Sequence, residues 1–179
     1  NVLDKWMISR LEETVAEVTV QADNYKLAHA INPIFELIDE ASNWFIRRSR
    51  RRFWKSEDDA DKQQAYETLW YVLMRISQLM APWAPFYSDY LWRELRYGAD
   101  LPESVHLSDW PFVGNSDQKL LDTMQKTRNI INEGLSARAA VKIKVRQPLA
   151  SVTVPIVPSE FAEIIADELN VKEVKFSDS

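Results

Sequence analysis

The sequence contains no cysteine, only three glycines and only two histidines. The absence of cysteine excludes disulfides and thiolate metal sites, and it is typical of a protein from the reducing cytoplasm. Gly98, Gly114 and Gly134 lie far apart, so they cannot form the glycine-rich loop that cradles phosphates in many nucleotide-binding enzymes. Neither His29 nor His106 has a second histidine at ligand spacing, and we therefore predict no metal site.

Long apolar runs are also missing, because no stretch reaches the roughly 18 apolar residues of a membrane-spanning helix. We therefore expect no membrane partner. The chain of 179 residues is nevertheless 46% hydrophobic and 11% aromatic, which is enough for one ordinary core. It begins at Asn1 rather than at a methionine, and we expect it to be a piece of a longer chain.

Apolar residues recur at intervals of three and four in four long segments, which predicts amphipathic helices. These segments are residues 3–18, 27–45, 65–79 and 120–135, and a shorter helical piece is expected from about Ser88 to Arg96. Pro33 should kink the second helix. Because each apolar stripe must be buried against another, we predict a mainly α protein built as an antiparallel helical bundle.

Two later stretches break this pattern. Between Tyr97 and Asn115 the prolines and glycines favour a long loop, which Trp110 should pin to the bundle. From Lys142 onward, "KIKVRQPLASVTV" and "VKEVKF" predict two strands separated by a helix at residues 159–169. We therefore predict a helical domain at residues 1–142 and a small C-terminal β-α-β fragment at residues 143–179.

Positive charge is scarce overall but concentrated in one place. The chain carries 22 lysines and arginines against 27 acidic residues, for a net charge of −5. The stretch "NWFIRRSRRRFWK", residues 43–55, holds six basic residues and no acid, which leaves 16 basic against 27 acidic residues elsewhere. A positive patch on a negative body attracts a polyanion locally and in a defined orientation.

If the second helix continues through this stretch at about 100° per residue, its five arginines lie on two sides of the helix. Arg47, Arg50 and Arg51 should project away from the apolar stripe, whereas Arg48 and Arg52 should extend it. An alternative is that the arginines pair with the acids of "SEDDAD", residues 56–61, or complement the helix dipole, each for about 0.3–1 kcal/mol. Composition alone leaves both interpretations open, but the planar arginine fork suits phosphates better than lysine does.

A second acid-free basic tract, "SARAAVKIKVRQP", contributes Arg138, Lys142, Lys144 and Arg146. Two basic tracts favour an extended polyanion such as a nucleic acid over a single small anion.

Trp44 and Trp54 bracket the arginines, and with Phe53 they are candidates for stacking on RNA bases. For four other tryptophans we expect core positions: Trp6, Trp70, Trp83 and Trp92. The carboxylates of Glu36, Asp39 and Glu40 share helical spacing, but no nucleophile accompanies them, which favours a solvated face. We therefore predict no catalytic residue.

Four motifs occur in this order: "NWFIRRSRRRFW", "LMAPWAPF", "SVHLSDWP" and "KIKVRQPL". In type, order and separation they resemble the class I aminoacyl-tRNA synthetases, in particular the anticodon-binding helical domain of the isoleucyl-tRNA synthetases. The likeness covers nearly the whole chain, although the proline motif alone would also fit valyl or leucyl relatives. Where the family commonly has acidic residues after "PF", this chain has Tyr87, Ser88 and Asp89.

The resemblance implies that the chain grips the anticodon stem-loop of tRNA(Ile). Its RNA-binding candidates are then Arg47, Arg48, Arg50, Arg51, Arg52, Trp44, Trp54, Arg138, Lys142, Lys144 and Arg146. The resemblance also implies a cytoplasmic parent enzyme that activates isoleucine with ATP and Mg²⁺ and whose catalytic domain is a second partner. The HIGH and KMSKS nucleotide motifs are absent here, so we expect no cofactor and no aminoacylation by this chain alone. The alternative is a helical protein-interaction or spacer module without RNA contact.

Overall fold

The computed structural model describes residues 1–55 and 59–177, and the chain divides into two compact units, residues 1–117 and 118–179. The helices of the first unit are α1 (Val2–Asp23), α2 (Leu27–Ala30), α3 (Asn32–Glu40), α4 (Arg47–Lys55), α5 (Asp59–Met80) and α6 (Pro85–Leu95). A π-helical turn at Ala41–Ile46 joins α3 to α4, and a short 3-10 turn lies at Val105–Leu107. The predicted mainly α class is confirmed.

The core of the first unit lies where α1 packs against α3 and α5, and α5 also contacts α4 and α6. Met7 and Leu11 of α1 and Leu79 of α5 are fully buried. Burying one such side chain stabilises the fold by about 1.5–3 kcal/mol. Trp6 and Trp92 are buried as predicted, Trp83 is half-buried, and Trp70 is 40% exposed at the edge of the core.

The segment predicted as one kinked helix is divided instead. Helix α2 ends at Ala30, and α3 begins at Asn32 with Pro33 in its first turn. Proline is favoured there because the first backbone N–H groups of a helix have no intrahelical partner, so a missing N–H removes no helical hydrogen bond. Pro33 therefore starts a helix rather than kinking one.

The loop after α6 is held to α1 by two hydrogen bonds. The indole Nε1 of Trp110 donates to Thr19 Oγ1 at 2.9 Å, which confirms the predicted anchor. The backbone N–H of Gly114 donates to Glu12 Oε2 at 2.7 Å. A Cβ at position 114 would lie 2.6 Å from that oxygen, so any other residue there would require the carboxylate of Glu12 to shift.

The second unit contains α7 (Gln118–Ala140), β1 (Leu149–Pro155), α8 (Ser159–Leu169) and β2 (Val171–Ser177). The two strands pair in parallel, with Leu149 opposite Val171 and Pro155 opposite Ser177, so the predicted β-α-β arrangement is confirmed. Strand β1 begins at Leu149 rather than at Lys142, because residues 141–148 form turns. No described helix has both the length and the apolar character needed to cross a membrane.

The domain boundary predicted at residue 142 stays a prediction. Helix α7 lies in the compact unit of residues 118–179, where it packs on α8. Gly134 of α7 allows this approach, since a Cβ there would lie 2.6 Å from Cδ1 and 2.7 Å from Cδ2 of Leu169. Leu169 is itself only 2% exposed and has little room to move.

We expect Gly134→Val to lower the free energy of unfolding by about 2–3 kcal/mol, because the added side chain overpacks the contact with Leu169. Urea denaturation followed by circular dichroism measures the loss. The double variant G134V/L169A should lose less than the sum of the two single variants, since shortening Leu169 makes room for the valine. Strictly additive losses would contradict this account of the helix contact.

Candidate nucleic-acid interface

Helix α4 presents its arginines on two sides. Arg47, Arg50 and Arg51 are exposed, whereas Arg48 and Arg52 are half-buried, which is the division that helical periodicity predicts. Ser49 and Phe53 are buried on the inner face of the same helix. The outer face of α4 is therefore a row of guanidinium groups, and its inner face anchors the helix to the first unit.

Two tryptophans contact these arginines in different ways. Trp44, in the π-helical turn, is only 8% exposed, and the Cζ atoms of Arg47 and Arg48 each lie 5.7 Å from its ring centroid. Trp54 is 73% exposed, with the Cζ atom of Arg50 at 5.6 Å from its ring. A cation–π contact at such a site contributes about 0.5–1 kcal/mol and limits the rotamers of the arginine. Trp54 offers an open aromatic surface, and Trp44 does not.

Arg52 lies in an internal ion-pair network. Its Nη1 and Nη2 atoms donate to the two carboxylate oxygens of Asp4, each at 2.7 Å, and its Nε atom donates to Asp61 at 2.8 Å. Burial alone would lower the pKa of Arg52, but the hydrogen bonds to both carboxylates outweigh burial and raise it. The hydrogen bond from Arg52 in turn lowers the pKa of Asp61. Arg52 therefore joins α4 to α1 and α5.

This network bears on the alternative that the arginines pair with "SEDDAD". Asp61 does pair with Arg52, whereas residues 56–58 of that motif lie outside the described part of the chain. Arg47 donates through Nε to the Asn43 carbonyl at 2.9 Å, which leaves its guanidinium at the surface of the helix. Internal pairing thus involves Arg52, whereas Arg47, Arg50 and Arg51 are exposed to solvent.

The second basic tract also separates into inner and outer residues. Arg138 of α7 is 5% exposed and donates to backbone carbonyls, whereas Lys142, Lys144 and Arg146 are exposed on the 141–148 loop that follows α7.

Of the eleven predicted RNA-binding residues, seven are exposed: Arg47, Arg50, Arg51, Trp54, Lys142, Lys144 and Arg146. Two are buried, Trp44 and Arg138, and two are half-buried, Arg48 and Arg52. Phe53 is also buried, packing 5.0 Å from Tyr66, so it offers no stacking surface.

The carboxylates of α3 have structural partners. Arg10 of α1 pairs with Glu40 at 2.7 Å and with Glu36 at 3.4 Å. Within residues 1–55 and 59–177, no group of three or more metal-ligating side chains is placed to hold a metal ion. The exposed guanidinium groups of α4 can attract anions.

Sequence reasoning missed Asp4 as a partner of Arg52. Asp4 lies between the buried Leu3 and Trp6 of α1 and is itself only 6% exposed. An acid within an otherwise apolar stripe is a usable signal, because a buried carboxylate needs a cationic partner. The π-helical turn before α4 has no comparable signal in the sequence.

Comparison with known proteins agrees with this geometry. The family model described as the anticodon-binding domain of tRNA ligase matches residues 4–154. The chain is 43% identical over 98% of its length to an isoleucine–tRNA ligase from Treponema denticola, and 41% identical over 98% to one from Clostridium tetani. A third, from Protochlamydia amoebophila, is 39% identical over 98%. The chain spans only 17–18% of the length of these relatives. The chain therefore belongs to the anticodon-binding domain family of tRNA ligases, among its isoleucyl members.

Proposed function

We propose that this chain binds the anticodon stem-loop of tRNA(Ile) as part of a longer isoleucine–tRNA ligase. The observation that carries the proposal is the exposed row of Arg47, Arg50 and Arg51 on α4 in a chain of the anticodon-binding family. The rest of the chain is acidic, so this row concentrates positive charge where a polyanion can approach.

In this proposal the exposed arginines contact mainly phosphates and orient the RNA, as such contacts usually do. Lys142, Lys144 and Arg146 add phosphate contacts from the second unit. Trp54 provides a stacking surface for an unpaired base of the anticodon loop, because its ring is largely exposed and single-stranded bases stack on aromatic side chains.

Four of the candidate residues act indirectly in this proposal. Trp44 and Arg48 support α4, Arg52 fixes it to α1 and α5, and Arg138 is buried beneath the second basic tract. We assign them no direct contact with RNA.

We also propose that the ATP- and Mg²⁺-dependent attachment of isoleucine takes place in the cytoplasm, in parts of such a ligase outside this chain. The catalytic domain of that ligase is the second partner in our proposal. Phe86, which is 91% exposed, and Tyr90 are exposed aromatic side chains of α6 that favour a protein contact.

Titration with two RNA hairpins tests the proposed function. One hairpin carries an isoleucine anticodon stem-loop, and the other has the same stem with a changed anticodon. We expect tighter binding of the isoleucine hairpin at moderate salt, with affinity for both hairpins falling as salt rises, because phosphate contacts release counterions. Fluorescence anisotropy of labelled hairpins measures both effects. Absence of binding to either hairpin at low salt would overturn the proposal and favour a role in docking to protein.

A further inference from the structure

The 141–148 loop carries three exposed cations, Lys142, Lys144 and Arg146, on a backbone with a defined conformation. Lys142 has a φ of 57°, in the left-handed region that favours glycine. A non-glycine residue there loses about 1–2 kcal/mol relative to an unstrained backbone and persists where surrounding contacts hold it. Glycine would satisfy this turn better, so the lysine is placed there at a local cost to stability.

Arg138 supplies the central contact that holds the loop. Its Nη2 atom donates to the carbonyls of Lys144 at 2.7 Å and Val145 at 3.4 Å, and also to the carbonyl of Gln147. The loop backbone is therefore wrapped around one buried cationic nitrogen. Because Arg138 is only 5% exposed, its own charge is not available to a large partner.

Nε and Nη1 of Arg138 are buried and have no hydrogen-bond partner among residues 1–55 and 59–177. A buried polar group without a partner destabilises a fold by about 1–3 kcal/mol, more if it is charged. An apolar side chain at this position would avoid that loss, so stability of α7 alone does not explain the arginine.

Asn170, the residue after α8, holds the loop from a second direction. Its side-chain Nδ2 donates to the Val145 carbonyl at 2.8 Å, and its own carbonyl accepts a hydrogen bond from Leu149 N–H at 3.1 Å. The N–H of Ile143 donates to the Arg138 carbonyl at 2.9 Å and closes the first turn. Two side chains from different elements thus determine the shape of one short cationic loop.

We infer that Arg138 and Asn170 are positioning residues, which preorganise the 141–148 loop so that its three cations bind RNA phosphates together. This inference rests on the proposed function. A preordered loop loses less conformational entropy on binding than a flexible one, so the same three charges give tighter binding when the loop is held. Neither positioning residue touches the RNA.

The test compares Arg138→Met, Asn170→Gly and the loop variant K142Q/K144Q/R146Q in the full chain, with the isoleucine anticodon hairpin as the probe. The slope of log affinity against log salt reports the number of phosphate contacts, at about 0.7 per contact for single-stranded RNA. We expect R138M to reduce the slope by about 1–2 and N170G to reduce it less. Asn170→Gly keeps the left-handed backbone and removes only the side-chain hydrogen bond.

Two controls separate positioning from general destabilisation. Lys126→Met removes one exposed cation from the same helix and should leave the slope nearly unchanged. In the K142Q/K144Q/R146Q background, R138M should still alter the free energy of unfolding but should have no further effect on RNA binding. The conservative variant R138K should recover part of the slope, because one ammonium group can donate to several carbonyls.

The outcomes distinguish this inference from the proposed function. If the unchanged chain binds the hairpin with a steep salt slope but R138M and N170G keep that slope, the positioning role is refuted and the proposed function survives. If R138M weakens binding equally in the loop variant, its effect is merely structural and the inference fails. If the unchanged chain shows no salt-dependent binding, both the proposed function and this inference fail.

Discussion

The triple variant R47E/R50E/R51E should bind the isoleucine anticodon hairpin about 100-fold or more weakly at low salt, because three charge-assisted phosphate contacts are replaced by repulsion. The slope of log affinity against log salt should also become shallower by about 2. All three side chains are exposed on α4, so their reversal should lower the free energy of unfolding only by about 1–2 kcal/mol, through the lost cation–π contacts of Arg47 and Arg50. Fluorescence anisotropy at several salt concentrations measures affinity and slope together.

A matched control removes the contribution of net charge. The variant K5E/K119E/K126E changes the charge of the chain by the same amount at three exposed lysines outside both basic tracts. We expect it to weaken RNA binding by less than about tenfold, since it changes only the long-range electrostatic attraction, which salt screens. Equal losses in the two triple variants would show that net charge alone governs binding and would contradict the assigned contacts.

Arg52→Met should lower the free energy of unfolding by about 3 kcal/mol, because it leaves the buried carboxylate of Asp4 without its bidentate partner. Arg51→Met is the control, as a neighbouring exposed arginine whose loss should change stability by no more than about 0.5 kcal/mol. Urea denaturation at neutral pH measures both. A loss below about 1 kcal/mol for R52M would show that this network does not stabilise the position of α4.

The same network predicts a dependence on acid. Because Arg52 lowers the pKa of Asp61 below 3.8, the pair stabilises the fold fully above that pH, and the contribution disappears as the pH falls through the lowered value. Asp61→Asn should therefore destabilise the chain at neutral pH and reduce the further loss on acidification. An unchanged acid dependence in D61N would assign the acid sensitivity to other carboxylates.

Residue spacing was enough to predict which arginines of α4 are exposed. Arg48 and Arg52 follow Phe45 along the line of the apolar stripe. Because a helix repeats about every 3.6 residues, Arg47 and Arg51 then point outward. The β-α-β arrangement was predictable from composition and pattern, since both strands contain β-branched residues interspersed with polar ones and a helical pattern separates them.

The contacts of the inner residues were not predictable from spacing. Arg52 donates hydrogen bonds to Asp4, which lies 48 residues earlier in the sequence. Arg138 donates to backbone carbonyls whose directions depend on the turns between Lys144 and Gln147. Both arginines counted as RNA-binding candidates because the sequence reveals their charge but not the internal partners that bind it. The same limit explains the predicted strand at Lys142, where hydrogen bonds to Arg138 and Asn170 hold turns instead.

Ultraviolet cross-linking of the chain to the isoleucine anticodon hairpin, followed by mass spectrometry of the cross-linked peptides, tests most directly where RNA binds. We expect cross-links to concentrate in the peptide containing Arg47 to Trp54, and we expect R47E/R50E/R51E to remove them. Strong cross-links found only at other sites, with this peptide unmodified in the bound complex, would contradict the claim that the exposed arginines of α4 hold the RNA.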